Sequence, residues 1–127
     1  FRSEARKVGC ALKRCKVDHR VLLIMDEVFS GTGFEEKDRA ERALLKYLST
    51  NKVLTLISSH NRGLIELESS LPGFHNAHAS DDKETRFKIF PGPSRRRNSE
   101  EVLAEEGLPD ELLDEVRKLS ESSEPQP

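Results

Sequence analysis

The sequence predicts an α/β fold built mainly on a parallel sheet, and three observations predict it. Two uninterrupted apolar runs, Val21 to Met25 and Val53 to Ile57, each stop abruptly at polar residues. Runs of this length read as strands buried on both faces. Between them, from Glu35 to Leu48, the apolar positions Ala40, Ala43, Leu44, Tyr47 and Leu48 recur at helical spacing. A strand, a helix and a second strand in that order suit a parallel pair, which needs a crossover of such length. With 127 residues, 35% of them hydrophobic and 35% charged, the chain can build one modest core with little surplus apolar material.

The elements follow in order. Phe1, Ala5, Val8, Leu12 and Cys15 share one face of an opening helix. The first strand runs into Asp26-Glu27, and Val28-Phe29-Ser30-Gly31-Thr32-Gly33-Phe34 follows as a tight loop, whose two glycines let backbone N–H groups approach an anion. Glu35, Glu36 and Asp38 suit the positive end of the next helix. The second strand ends in Ser58-Ser59-His60. Segments 74–79 and 85–90 read as a hairpin around the polar run 80–84, with Phe87 and Ile89 facing one side, and Pro91-Gly92-Pro93 stops the sheet. Beyond it, Arg95 to Arg97 read as a solvated basic turn, or as a contact to DNA or a partner. Asn98 is a good N-cap with Glu101 three residues later, Val102, Leu103 and Leu108 supply apolar contacts, and Pro109 can open a last helix. Leu112, Leu113, Val116 and Leu119 then form an apolar seam, so a C-terminal helical hairpin is expected over 94–119, and the Ser-, Glu- and Pro-rich tail 120–127 is expected to be disordered.

Composition excludes several classes. Balanced charge, 21 basic against 23 acidic residues, gives nothing resembling a nucleic-acid-binding surface. No apolar stretch has transmembrane length and no signal-peptide pattern occurs, so a soluble cytoplasmic protein is expected, with no membrane partner. Cys10 and Cys15 form neither a disulfide framework nor a zinc site. His75 and His78, three apart on a strand, point to opposite faces and make a poor metal site.

The chemistry concentrates where the first strand ends. A buried strand ending Asp-Glu looks like a Walker B segment, in which Asp26 would hold Mg²⁺ through water and Glu27 would act as general base. A core strand followed by a solvated acidic turn fits the same pattern. The order of landmarks goes further: Asp26-Glu27, Gly31-Thr32, Ser59-His60, the segment Leu71 to His78 with its Asn76-x-His78, Pro91-Gly92-Pro93 and Gly107-Leu108-Pro109. In that order they resemble the C-terminal part of the ATPase domain of the MutS family of DNA mismatch-repair proteins, over about Phe1 to Leu119. The resemblance implies a sheet of the P-loop, ABC-type ATPase kind over 1–93, present here in incomplete form, followed by a dimerisation element at 94–119. It also implies ATP and Mg²⁺ as cofactors, His60 as a γ-phosphate contact, and Gly31, Thr32 and Gly33 as a loop presented to ATP across a dimer. Partners implied are DNA, through other domains, and a second ATPase domain in a homo- or heterodimer joined also through the C-terminal helices.

Departures from the family pattern are specific. Gly33 and Phe34 stand where Ser and Thr are usual, so position 33 can offer only its backbone, and Arg95 to Ser99 replace a Ser-Tyr-Gly motif. No Gly-x-x-x-x-Gly-Lys-[Ser/Thr] occurs. The chain is therefore read as the C-terminal portion of a longer polypeptide that handles mismatched or branched DNA with ATP, the intact parent being the hydrolase and this portion inactive alone. Two other classes remain open: a non-enzymatic interaction or dimerisation module, and another ABC-type chromosome-maintenance ATPase. The latter usually carries a Leu-Ser-Gly-Gly signature before the Asp-Glu strand, and none occurs before Val21.

Overall fold

The computed structural model describes residues 1–80, 82–94 and 103–122. The chain divides into two compact units, Phe1–Pro93 and Ser94–Pro127. In the first, helix α1 (Arg2–Val17) leads into strand β1 (Leu22–Asp26), helix α2 (Phe34–Thr50) and strand β2 (Leu54–Ser58). A 3-10 helix (Arg62–Ser69) and two short strands, β3 (Ala77–Ala79) and β4 (Ile89–Pro91), complete it. β1 and β2 pair in parallel, with Leu22 opposite Leu54 and Asp26 opposite Ser58, and α2 is the crossover between them.

The core lies on one side of this two-stranded sheet. Leu23 and Met25 point from β1 into a cluster with Leu44, Leu45 and Leu48 of α2, Leu64 of the 3-10 helix, and Val28 and Phe29 of the loop. Ala5, Val8, Ala11 and Leu12 bring α1 against the same cluster, and Cys15 is buried near the end of that helix. The expectation that β1 is buried on both faces is therefore corrected. Ile24 is 67% exposed and Leu54 70%, with Leu22 and Leu56 exposed beside them. The physical reason is that α1 and α2 both contribute to one cluster, so period-2 alternation leaves the other face open. The stripe of α2 also differs from the expected one: it passes through Glu41, Leu44, Leu45 and Leu48, while Ala43 is exposed.

The hairpin is shorter than its sequence suggested. β3 and β4 pair antiparallel over three residues each, from Ala77 opposite Pro91 to Ala79 opposite Ile89. Lys88 N donates to the Thr85 carbonyl at 3.0 Å, and Phe87 adopts φ 70°. That turn takes Thr85 to Lys88 out of the strand and leaves Phe87 exposed. Phe74 packs against the core instead of extending β3. Asn76 fastens the start of the hairpin to the 3-10 helix, its amide donating to the Ile65 carbonyl at 2.9 Å and to Glu68 at 2.8 Å.

In the second unit, Leu108 N donates to the Leu103 carbonyl and Gly107 N to that of Ala104, closing a short helical turn with Gly107 at φ 76°. Helix α3 (Asp110–Ser122) follows, the N–H groups of Leu112 and Leu113 both donating to the Pro109 carbonyl. Leu113 is buried, whereas Leu112 and Leu119 are exposed. The backbone of α3 continues through Ser122, three residues into the stretch expected to be disordered. Arg95 to Arg97, Asn98, Glu101 and Val102 lie outside the described residues, as does the end of the tail.

Candidate active site at two strand tips

Parallel pairing brings the carboxyl ends of β1 and β2 side by side, which is where open α/β sheets present their ligating groups. At the tip of β1, Asp26 is exposed and its Oδ1 accepts a hydrogen bond from the Ser58 hydroxyl at the tip of β2. Glu27 follows in a left-handed conformation, φ 43°, and Phe29 likewise at φ 62°. For residues other than glycine this backbone is strained, at about 1–3 kcal/mol each, and such strain concentrates at functional positions. Burial of Val28 and Phe29 in the core holds the turn. Glu27 N is tied back to β2 through the Ser58 carbonyl at 3.1 Å and the Ser58 hydroxyl at 3.3 Å. From β2's end, His60 Nε2 reaches Glu27 Oε1 at 2.8 Å.

Asp26, Glu27 and His60 thus stand together, joined by Ser58. A carboxyl group paired with an imidazole can take up and pass on a proton of a water molecule. Asp26 and Ser58 offer hard oxygen donors suited to Mg²⁺ with several waters retained. Among the described residues, no group of three or more His, Cys, Asp or Glu side chains could enclose a metal ion. A cation at Asp26 would therefore draw its remaining ligands from water and from a bound anion.

Gly31, Thr32 and Gly33 lie on the loop into α2. Their hydrogen bonds run elsewhere: Gly31 N to Glu4 Oε2 of α1 at 3.5 Å, with Ser30 Oγ to Glu4 Oε1 at 3.2 Å, and Thr32 Oγ1 to Glu36 Oε2 at 2.7 Å. Partial burial pushes the Glu4 carboxyl up, but hydrogen bonds from Ser30 and Gly31 work against it, and the carboxyl is held below its ordinary value. Gly33 caps α2 without a side-chain hydrogen bond, as a glycine must.

Sequence reading missed the support behind His60. Glu41, on the buried face of α2, is 0% exposed. Its Oε1 accepts from Ser59 Oγ at 2.9 Å and its Oε2 from Asn61 Nδ2 at 2.8 Å. Asn61 also donates to Asp38 Oδ1 at 2.9 Å, and Asp38 Oδ2 accepts from Arg42 Nε at 2.9 Å. The Asn61 hydrogen bond, with Arg42 adding to it, holds the Asp38 carboxyl below its ordinary range. Glu66, first, and Asp38 push the Arg42 guanidinium up. The available signal was one glutamate in an apolar helical stripe.

No family model matches the chain. It is similar to the DNA mismatch repair protein MutS of Thermus thermophilus, 30% identical over 94% of this chain and 15% of that protein. MutS of Pelotomaculum thermopropionicum is 31% identical over 91% of this chain and 14% of its own length. The endonuclease MutS2 of Thermomicrobium roseum is 28% identical over 99% of this chain and 16% of its own length. The chain spans at most 16% of the length of these three relatives.

Proposed function

Because the chain belongs to the MutS family as a divergent segment, we propose that it forms the distal half of an ATP site of the P-loop, ABC-type kind in a DNA repair protein. The observation that carries this reading is the meeting of Asp26, Glu27 and His60 at adjacent strand tips, with His60 2.8 Å from Glu27. In this reading Asp26 binds Mg²⁺ through water, steadied by the hydroxyl of Ser58. Glu27 accepts a proton from the attacking water at a carboxylate oxygen, and its strained backbone fixes where that oxygen lies. His60, exposed and tethered by Glu27, donates from its ring to the γ-phosphate side. When bound, Mg²⁺ offsets phosphate charge.

Backbone N–H groups of Gly31 to Gly33 serve a nucleotide held by a second ATPase domain, and α3 adds its exposed apolar residues to that pairing. Nucleotide binding then biases the association of two such domains and through it the hold on mismatched or branched DNA, which other parts of the intact protein contact.

One observation favours a second reading. Glu4 places a carboxylate against Ser30 and Gly31, where an incoming phosphate would meet a like charge. A module that only pairs with a partner has no need to clear that loop. Binding of a fluorescent ATP analogue with Mg²⁺ by the intact protein separates the two. Saturable binding, competed by unlabelled ATP, supports the nucleotide site, and its absence supports the pairing module.

A further inference from the structure

A carboxyl group at the centre of an apolar helix face is an expensive choice, since burial strips it of water and each oxygen must find a donor. Position 41 lies one turn before Leu45 and two before Leu48, in the stripe that covers β1, and an aliphatic residue there would extend the core. Glu41 instead spends both oxygens on the residues that bracket His60: Ser59 on one side and Asn61 on the other.

The clamp is closed around the backbone. Asn61 N donates to Ser59 Oγ at 3.1 Å, so the two neighbours of His60 are bonded to each other as well as to Glu41. Asn61 Oδ1 caps the 3-10 helix by accepting from Gly63 N at 3.0 Å, and its second amide hydrogen meets Asp38. Every polar function of the Asn61 side chain is thereby used. The surroundings are close-packed at Gly63, two positions on. A Cβ on Gly63 would lie 2.7 Å from both Arg42 Nη2 and Asp38 Oδ1.

The imidazole between these anchors is 88% exposed and meets Glu27 Oε1 at 2.8 Å. A side chain so open to water does not hold a direction by packing. Its direction derives from its own backbone, which α2 grips through Glu41.

We propose that Glu41 is a positioning residue for His60: it fixes the Ser59–Asn61 backbone so that the imidazole meets Glu27 at the strand tips. The proposal deepens the reading of His60 as a γ-phosphate contact and rests on it for its consequence in turnover. Glu41 touches no reacting group and acts through the loop.

A spectroscopic double-mutant cycle on the full chain tests it without requiring activity. The His60 ring ¹⁵N resonances are recorded at neutral pH with and without Glu27→Gln, in wild-type, Glu41→Gln and Glu41→Leu backgrounds. The proposal expects Glu27→Gln to move those resonances in the wild type, to move them less in Glu41→Gln, which keeps one acceptor and the residue's size, and to leave them in place in Glu41→Leu. An undiminished response in the Glu41 variants overturns it, as does no response in the wild type. Should Glu41→Leu fail to fold, Glu41→Gln decides alone by the same criterion.

In the intact protein, Glu41→Leu is expected to lower kcat about tenfold while KM moves less than about threefold, the split that marks lost positioning over lost binding. Where His60→Ala lowers kcat, a wild-type kcat in Glu41→Leu also overturns the proposal. His60→Ala at wild-type kcat overturns the γ-phosphate reading instead, and the ring-nitrogen response still decides Glu41.

Discussion

His60 Nε2 lies 2.8 Å from Glu27 Oε1, across the gap between two parallel strand tips whose last residues, Asp26 and Ser58, are register partners. Residues 33 apart in the chain meet there because a helix of 17 residues returns the chain to the same edge of the sheet. The site therefore depends on the crossover, and its parts respond separately to substitution.

Ser58 is the smallest of those parts. Its hydroxyl donates to Asp26 and accepts from Glu27 N. Ser58→Ala is expected to cost about 0.5–1.5 kcal/mol of stability, the net worth of an ordinary hydrogen bond. In the intact protein it should lower ATP hydrolysis more than ATP binding. Denaturant unfolding and steady-state kinetics check the two effects, and unchanged kcat would remove Ser58 from the site.

Acid should loosen the clamp behind His60. Asp38 is held below its ordinary value by the Asn61 hydrogen bond and by Arg42, and Glu68 by Asn76 and His75. Groups with depressed folded-state values stabilise the fold fully above the ordinary carboxylate range, and that contribution is lost as the pH falls through and below it. Stability should therefore fall on acidification, less steeply in Asp38→Asn than in the wild type. Urea midpoints measured from neutral pH downward test this, and parallel curves would contradict it.

The one-sided sheet makes a paired prediction. Leu48 is 2% exposed at the centre of the core, so Leu48→Ala should cost about 2–5 kcal/mol. Ile24, on the open face of β1, should tolerate Ile24→Ala within about 0.5 kcal/mol in this chain. Equal losses at the two sites would mean that both faces of β1 are covered.

Helix α3 carries the prediction about pairing. Leu112 and Leu119 are exposed although they are large and apolar. Replacing both by Asp should weaken self-association of the intact protein, read as a shift toward smaller species in sedimentation velocity. Unchanged sedimentation would assign those side chains no part in the pairing.

Much of this architecture was legible in the residues. Apolar runs ending at Asp26 and Ser58 located both strands, and helical spacing from Glu35 to Leu48 located the crossover, because period and length are local properties of the chain. Coverage of the sheet was not legible. A run such as Val21 to Met25 is equally apolar on both sides, and only the placement of α1 and α2 on one side decides which residues are buried. The hairpin was overextended for a related reason: alternation between Thr85 and Phe90 fits a strand, but the turn ending at Lys88 claims those residues first. At the site, the titratable groups Asp26, Glu27 and His60 could be named from their places at strand ends. Glu41 and Asn61 could not, since their roles exist only once α2 lies against the loop after β2. Glu4 was hidden likewise, its partners Ser30 and Gly31 lying 26 and 27 residues away.

The most direct test of the central claim, that the acids of β1 and the imidazole after β2 serve one nucleotide, is ATP turnover by Glu27→Gln in the intact protein, with binding measured on the same sample. ATP binding with Mg²⁺ is expected to stay close to wild type, and hydrolysis to fall by about a hundredfold or more, the scale of a lost general base. Hydrolysis retained alongside normal ATP binding would contradict that claim.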